Sequence, residues 1–160
     1  IQIPAEFYGY RGEGISYHIE TKASQDIGFR ISDGVPMRMI TGKAEKPSYA
    51  PEGGKPWAED NLACVQLREG DWLAYDALCA GAGIFHLDIR ALIPEGTVDI
   101  MLQIGDREPE LISLSDSGEG QWDIHRVAEA MPIEEGPVDL VFMVNKGRIE
   151  LDWLEFTEAR

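Results

Sequence analysis

The sequence predicts an all-β protein, two antiparallel sheets packed face to face as a β-sandwich of the jelly-roll kind. Three observations predict it. Apolar residues recur with a period of two over long stretches, as in half-buried strands. Gly, Pro, Asp and Asn punctuate those stretches at short intervals, and hardly any segment carries a helical period.

The alternation is clearest from residue 83 onward. Phe85, Leu87, Ile89 and Ala91 face one way while His86, Asp88 and Arg90 face the other, and Val98, Ile100, Leu102 and Ile104 repeat the pattern. Further strands are expected at Ile3–Tyr8, Asn61–Leu67, Asp71–Ala77, Glu110–Leu114, Trp122–Val127, Val138–Val144 and Arg148–Phe156. Arg68-Glu-Gly70 and Asn145-Lys-Gly147 read as hairpin turns, since Gly and Asn tolerate positive φ. Val127–Ala130 reads as a brief helical turn. In the last strand Ile149, Leu151 and Trp153 share one face, while Glu150 and Asp152 stand side by side on the other. Trp72 and Trp153 alternate with apolar neighbours and are expected in the core.

Residues 41–60 differ from the rest. Lys, Glu, Pro and Gly dominate there, and Tyr49 and Trp57 lie in it without any strand period. It reads as a loop of the length at which ordered loops are usually functional. The 160 residues otherwise form one expected domain with a sizeable apolar core.

Charge excludes more than it selects. Fourteen basic against 29 acidic residues give a net charge of −15, which opposes nucleic acid and anionic membrane surfaces because both require a basic footprint. Neutral polymers and cations remain compatible. No apolar run reaches the roughly 18 residues of a membrane span. Ile1-Gln-Ile-Pro lacks the features of a signal peptide, so the chain reads as an excised module or a mature product. Cys64 and Cys79 have no zinc-like companions and read as core thiols, a bridge between them being the alternative.

Four strings, in order, resemble the family 6 carbohydrate-binding modules, with kinship to the family 35 type, over almost the whole chain. Ile3-Pro-Ala-Glu-Phe-Tyr8 is similar to the opening strand with its Ala-Glu pair. Gly14-Ile-Ser-Tyr-His18, with Asp26-Ile-Gly-Phe-Arg30 and Asp33-Gly-Val35, resembles the segment that carries a cleft aromatic. Gly70-Asp-Trp-Leu-Ala-Tyr75 and Ile149-Glu-Leu-Asp-Trp-Leu-Glu-Phe156 resemble the Gly-Glu/Asp-Trp-Leu-x-Tyr strand and the Asn-Leu-Asp-Trp-Phe ending. The resemblance implies a module that binds a polysaccharide or oligosaccharide without cleaving it, joined to a glycoside hydrolase in a secreted or cell-surface protein.

In that family's loop-end cleft two aromatics flank a sugar and an Asn binds its hydroxyls. The matching positions are Phe29, where Tyr is usual, Trp122, and Glu150 in place of the Asn. Sugar rings present C–H patches to aromatic faces, and their hydroxyls require fixed donors and acceptors. An ionised carboxylate only accepts, so Glu150 either alters the specificity or marks a lost cleft. Phe29 as a core ring and Trp122 as an inward strand residue are the bland alternatives. Tyr49 and Trp57 are added as loop aromatics able to close over a ligand, or to anchor the loop.

The resemblance also implies a structural calcium ion held by Glu6, Asp152 and a main-chain carbonyl near Arg30, with Pro4 where a second acid is usual. Two surface carboxylates are the plain alternative.

Catalytic signatures are absent: there is no Gly-x-Ser-x-Gly, no phosphate-binding Gly-rich loop and no HExxH, and the three histidines stand apart. The chain is therefore expected not to be an enzyme. Two rivals remain. One is a jelly-roll glycosidase or lyase using Glu150 with Glu20 or Asp26 across a cleft; the other is a structural or adhesive sandwich without glycan binding.

Overall fold

The computed structural model describes residues 2–23, 30–40, 63–78, 81–116 and 120–160. The loop expected at residues 41–60 lies outside them, as do Phe29, Tyr49, Trp57, Asp26 and Cys79. The strands run β1 (Gln2–Pro4), β2 (Tyr17–His18), β3 (Met37–Met39), β4 (Ala63–Arg68), β5 (Trp72–Leu78), β6 (Gly83–Leu92), β7 (Thr97–Ile104), β8 (Glu110–Ser115), β9 (Trp122–Ile133), β10 (Val138–Lys146) and β11 (Arg148–Glu158). A 3-10 turn at Ile31–Asp33 is the one helical segment among the described residues.

The strands form two antiparallel sheets. The first has the order β3-β4-β11-β6-β9, with β1 also on β11; the second has the order β2-β5-β10-β7-β8. One edge of β11 is shared: β4 pairs with its residues 148–151 and β1 with residues 153–155. The two inward faces meet in a single core, to which Leu73, Phe142 and Ile100 contribute from one sheet and Val65, Ile89 and Leu154 from the other. Each such side chain stabilises the fold by about 1.5–3 kcal/mol on burial. Tyr75 is buried among them, and its hydroxyl donates to the Ala5 carbonyl at 2.7 Å.

Breaks in the ladders account for the differences from the sequence expectation. The expected helical turn at Val127–Ala130 is strand. β9 runs through it against β6, with register shifts on both sides of Leu87, so extra residues interrupt the two-residue period. Ala130 adopts φ 48, and its N–H donates to His86 Nδ1 at 3.0 Å. β1 stops at Pro4, because the chain continues through one more sheet bond, Ala5 N–H to Asp152 O at 2.9 Å, and then turns as Phe7 N–H bonds Pro4 O. The short strands β2 and β3 carry too few residues for a period to be read.

Two tryptophans leave the core positions expected of them. Trp72 pairs with Met143 and His18, while its neighbour Leu73 faces inward opposite Phe142, so Trp72 lies half-buried on the outer face of the second sheet. Its strand is apolar in both phases, and composition alone does not separate them. Trp153 is turned outward by a bulge. The β11–β6 register shifts between Leu151 and Trp153, placing Trp153 opposite Arg90 and Leu154 opposite Ile89.

Gly147, at φ 88, is required where β10 turns into β11: a Cβ there would stand 2.8 Å from the Thr97 carbonyl oxygen. This turn sets the register of β11, which carries the acids of the site.

Candidate functional site

The outer face of the first sheet carries one row across four strands. Gln66 of β4 pairs with Glu150 of β11, Glu150 with Leu92 of β6, and Leu92 with Trp122 of β9. Cross-strand partners point to the same face, so Glu150 and Trp122 share it with one strand between them. Two strand spacings separate their backbones, roughly 10 Å. The register thus brings together two residues that lie 28 positions apart in the chain, which spacing along the sequence does not show.

Two arginines complete the cluster. Arg38 of β3 donates through Nε to Glu150 Oε2 at 2.8 Å and through Nη2 to the same oxygen, and Gln66 Nε2 donates to Glu150 Oε1 at 3.1 Å. Arg90 of β6 donates through Nη1 to Asp152 Oδ2 at 2.5 Å. Their guanidinium carbons lie 5.9 Å (Arg38) and 4.9 Å (Arg90) from the centre of the Trp122 ring, within cation–π range. The arginine side chains remain about one-third exposed, at 36% and 32%, while Glu150 and Asp152 are largely covered, at 14% and 9%. Positive donors therefore reach solvent and the carboxylates hold them from beneath.

Burial shapes the acid–base chemistry. Desolvation raises the Asp152 carboxyl above its usual value, more than its bond to Arg90 lowers it. Arg38 is pushed up, chiefly by its bond to Glu150. Cys64 lies fully buried, its Sγ 4.0 Å from Glu150 Oε2, and carries no disulfide. Desolvation foremost, then the Glu150 charge, pushes its thiol up to about 12, so it is a packed thiol without thiolate character. A cleft of about 210 Å³ opens beside the row, lined by Gln66, Glu150, Thr21 and Pro36 among others.

Trp122 and Glu150 are brought together on this face, Trp122 half-buried. Arg38, Gln66 and Arg90 were not singled out from the sequence. The signals were an apolar-charged-apolar triplet, Met37-Arg-Met39, and an arginine in the outward phase of the most regular strand.

The residues proposed for a metal divide. Glu6 is fully buried, and the Ala5 N–H bond to Asp152 O places it next to that strand. Asp152, however, gives an oxygen to Arg90, whose positive charge opposes a second cation there. The Arg30 carbonyl accepts from Asp33 N–H at 3.1 Å, closing the 3-10 turn. Among the described residues no group of three or more His, Cys, Asp or Glu side chains is arranged to hold a metal ion.

The prominent feature of Arg30 is its side chain. It adopts φ 52, and its guanidinium carbon lies 3.6 Å from the Tyr8 ring centre and 4.1 Å from that of Tyr10. Nε donates to Asp33 Oδ2 at 2.7 Å, and Nη1 and Nη2 donate to the Tyr8 and Gly9 carbonyls. Asp33 also accepts the Tyr8 hydroxyl at 2.8 Å. This clamp fixes the backbone immediately after position 29.

Solved structures that match over the full chain share this architecture. CsCBM6-3 from Clostridium stercorarium, in complex with cellobiose, matches with a TM-score of 0.61 and 13% identity, covering 99% of this chain and 94% of that one. The fold is that of the family 6 carbohydrate-binding modules. The C-terminal module of this family in LamC, from Zobellia galactanivorans, matches at 0.59 with 16% identity, covering 99% of this chain and 98% of that one. A family 6 module from Clostridium cellulolyticum, in complex with xylose, matches at 0.57 with 14% identity, covering 99% and 97%. A family GH115 4-O-methyl-α-glucuronidase with specificity for decorated arabinogalactans matches over 62% of this chain at 0.51 and 17% identity, and the match spans 15% of that enzyme. No protein-family model and no curated protein matches the sequence. Among the described residues no helix is long and apolar enough to cross a membrane.

Proposed function

We propose that this chain is a non-catalytic carbohydrate-binding module, and that its site is the Trp122–Glu150 row with Arg38 and Arg90. The observation that carries this reading is the row itself. It joins an aromatic ring, a fixed carboxylate acceptor and partly exposed guanidinium donors on one face. Full-length fold matches to modules solved with cellobiose and with xylose support it. In the same reading the chain is tethered to a secreted or cell-surface glycoside hydrolase, and weak binding suffices because tethering raises the effective concentration. Affinity electrophoresis and a glycan array on the isolated chain test the reading, with Trp122→Ala expected to abolish retardation. Phe29, Tyr49 and Trp57 enter the proposal as further ring contacts, each tested by its own alanine variant.

A sandwich that joins domains without binding glycan is the second reading. It draws on the two ion pairs, which satisfy the face with its own charges. Absence of retardation by every glycan, with Trp122→Ala leaving all behaviour unchanged, would favour it.

A structural calcium ion is proposed with Glu6 as its buried carboxylate and the Asp152 strand beside it. Bound calcium would neutralise that charge and cross-link β1 to β11. The expected result is a melting temperature raised by millimolar calcium and lowered by chelator, with the response lost in Glu6→Gln.

A further inference from the structure

We infer that the outer face of the second sheet carries a binding site for a soft monovalent metal ion, Cu(I), formed by the thioethers of Met101 and Met143 beside the Trp72 ring. It lies on the other sheet from the Trp122–Glu150 row and does not depend on the glycan-binding reading.

Register builds the site. His18 of β2 pairs with Trp72 of β5, Trp72 with Met143 of β10, Met143 with Met101 of β7, and Met101 with Leu111 of β8. Directly paired residues share a face, so these five form one row across the whole sheet. The face is the outer one. Their chain neighbours Leu73, Phe142 and Ile100 are fully buried in the core, whereas Trp72, Met143 and Met101 are half-buried and Leu111 is 57% exposed. The outward phase of β7 is otherwise polar, with Thr97, Asp99 and Gln103 around Met101, and Asp99 accepts the Ser113 hydroxyl at 2.6 Å.

Direct partners place their Cβ atoms about 4.5–5.5 Å apart. Each methionine sulphur stands two bonds beyond its Cβ on an unbranched, adaptable chain, so two facing thioethers can converge on one ion. Thioethers are soft donors that select Cu(I), whereas hard cations take carboxylate, carbonyl and water oxygens. Monovalent d10 ions accept two-coordination, which an opposed pair supplies. Trp72, on the next strand, sets an electron-rich ring beside Met143, and a cation gains from its π face. The imidazole of the row stands apart: His18 is two strands from Met143, roughly 10 Å between backbones, and its Nε2 lies 3.2 Å from Glu20 Oε1. A chain of net charge −15 concentrates cations at its surface, and the softness of the donors decides which one is kept here.

The test is a silver titration of the chain carrying 13C-methyl methionine, in chloride-free buffer and a Cys79→Ser background. Ag(I) is the redox-inert counterpart of Cu(I), and Cys64 is buried. Of the five methionine methyl signals, those of Met101 and Met143 are expected to shift together, with quenching of fluorescence that Trp72→Phe removes. Met101→Leu and Met143→Leu keep the volume and lose only the sulphur. Each is expected to weaken binding by more than about tenfold, since loss of even a supporting residue costs a metal site that much. Melting temperatures near that of the parent chain show that these variants are folded. Cu(I) under ascorbate should shift the same signals, and Zn(II) and Ca(II) should shift neither. Silver shifts that are absent, or confined to the other three methionines, would overturn the inference. So would binding that both leucine variants leave unchanged, or an equal response to Zn(II).

Discussion

The guanidinium carbon of Arg90 lies 4.9 Å from the centre of the Trp122 ring, and the same arginine holds Asp152 through Nη1. One side chain of β6 therefore joins the aromatic of β9 to the acid of β11, and the outer face of the sheet is organised around it.

Removing that link has a signed pH dependence. Arg90→Met leaves the largely buried Asp152 carboxylate without its cation and is expected to cost about 1–2 kcal/mol at pH 7, the partial exposure of Arg90 reducing the figure for a buried pair. The Asp152 carboxyl is already raised by burial and rises further in the variant. A carboxyl raised in the folded state loses stability as pH climbs through its unfolded value, so the deficit should shrink below about pH 4. Urea unfolding of both proteins at pH 4 and 7 measures this; a deficit equal at both would contradict it.

Cys64 predicts the alkaline limb. Its thiol stands near 9 when unfolded and at about 12 when folded, so over this interval the folded state holds a proton that the unfolded state has released. Stability should fall by about 1.4 kcal/mol per pH unit above pH 9 on this account alone. Cys64→Ala is expected to flatten the slope between pH 9 and 10. The native thiol, in a Cys79→Ser background, should resist Ellman's reagent at pH 8 until denaturant is added.

Tyr75→Phe deletes the hydroxyl that satisfies the Ala5 carbonyl. The ring still fills the core, so the expected loss is about 1–2 kcal/mol, the cost of an orphaned buried acceptor. Chemical denaturation with an unchanged m-value would show that the fold is otherwise kept.

Ala130→Gly should stabilise the protein. Ala130 sits at φ 48, a conformation costing roughly 1–2 kcal/mol for a residue with a Cβ, and the added unfolded-chain entropy of Gly offsets only part of it. A net gain of about 0.5–1 kcal/mol is expected in thermal or urea unfolding. Destabilisation instead would show that the His86 contact depends on the alanine.

Arg30→Lys tests the clamp. Lysine keeps the charge but cannot bond two carbonyls and Asp33 while lying between two rings. A loss of about 2 kcal/mol is expected, since the Gly9 and Tyr8 carbonyls and Asp33 each lose a charged donor. If the clamp also sets the position of Phe29, ligand affinity should fall with it in calorimetry.

The sheets were readable because strand alternation is local. In β6, β7 and β10 every second residue is apolar and each strand lies where it was expected; in β6 and β7 the apolar set that shares a face, Leu87, Ile89 and Ala91 and then Val98, Ile100 and Leu102, is the buried one. The row proposed as the site was legible only in part. Glu150 and Trp122 were both nameable, one from its place beside Asp152 and the other from resemblance, but Arg38 lies in β3, two strands from Glu150 across the sheet, and Arg90 in β6, between the strands of Glu150 and Trp122, both far from them along the chain. Only pairing brings them near.

The sequence by itself determined the class of the protein: an acidic, all-β sandwich whose last strand offers a pair of carboxylates. Periodicity and charge are additive properties of the chain and survive without coordinates. The tertiary structure decided where each phase breaks. The bulge at Asp152 turned Trp153 outward, the bulges beside Leu87 carried β9 through an expected helical turn, and the long-range register set Arg38 on Glu150 and Arg90 on Asp152. A one-residue shift reverses every side chain after it, and its position is selected by how two distant strands pack, so no window along one strand contains it.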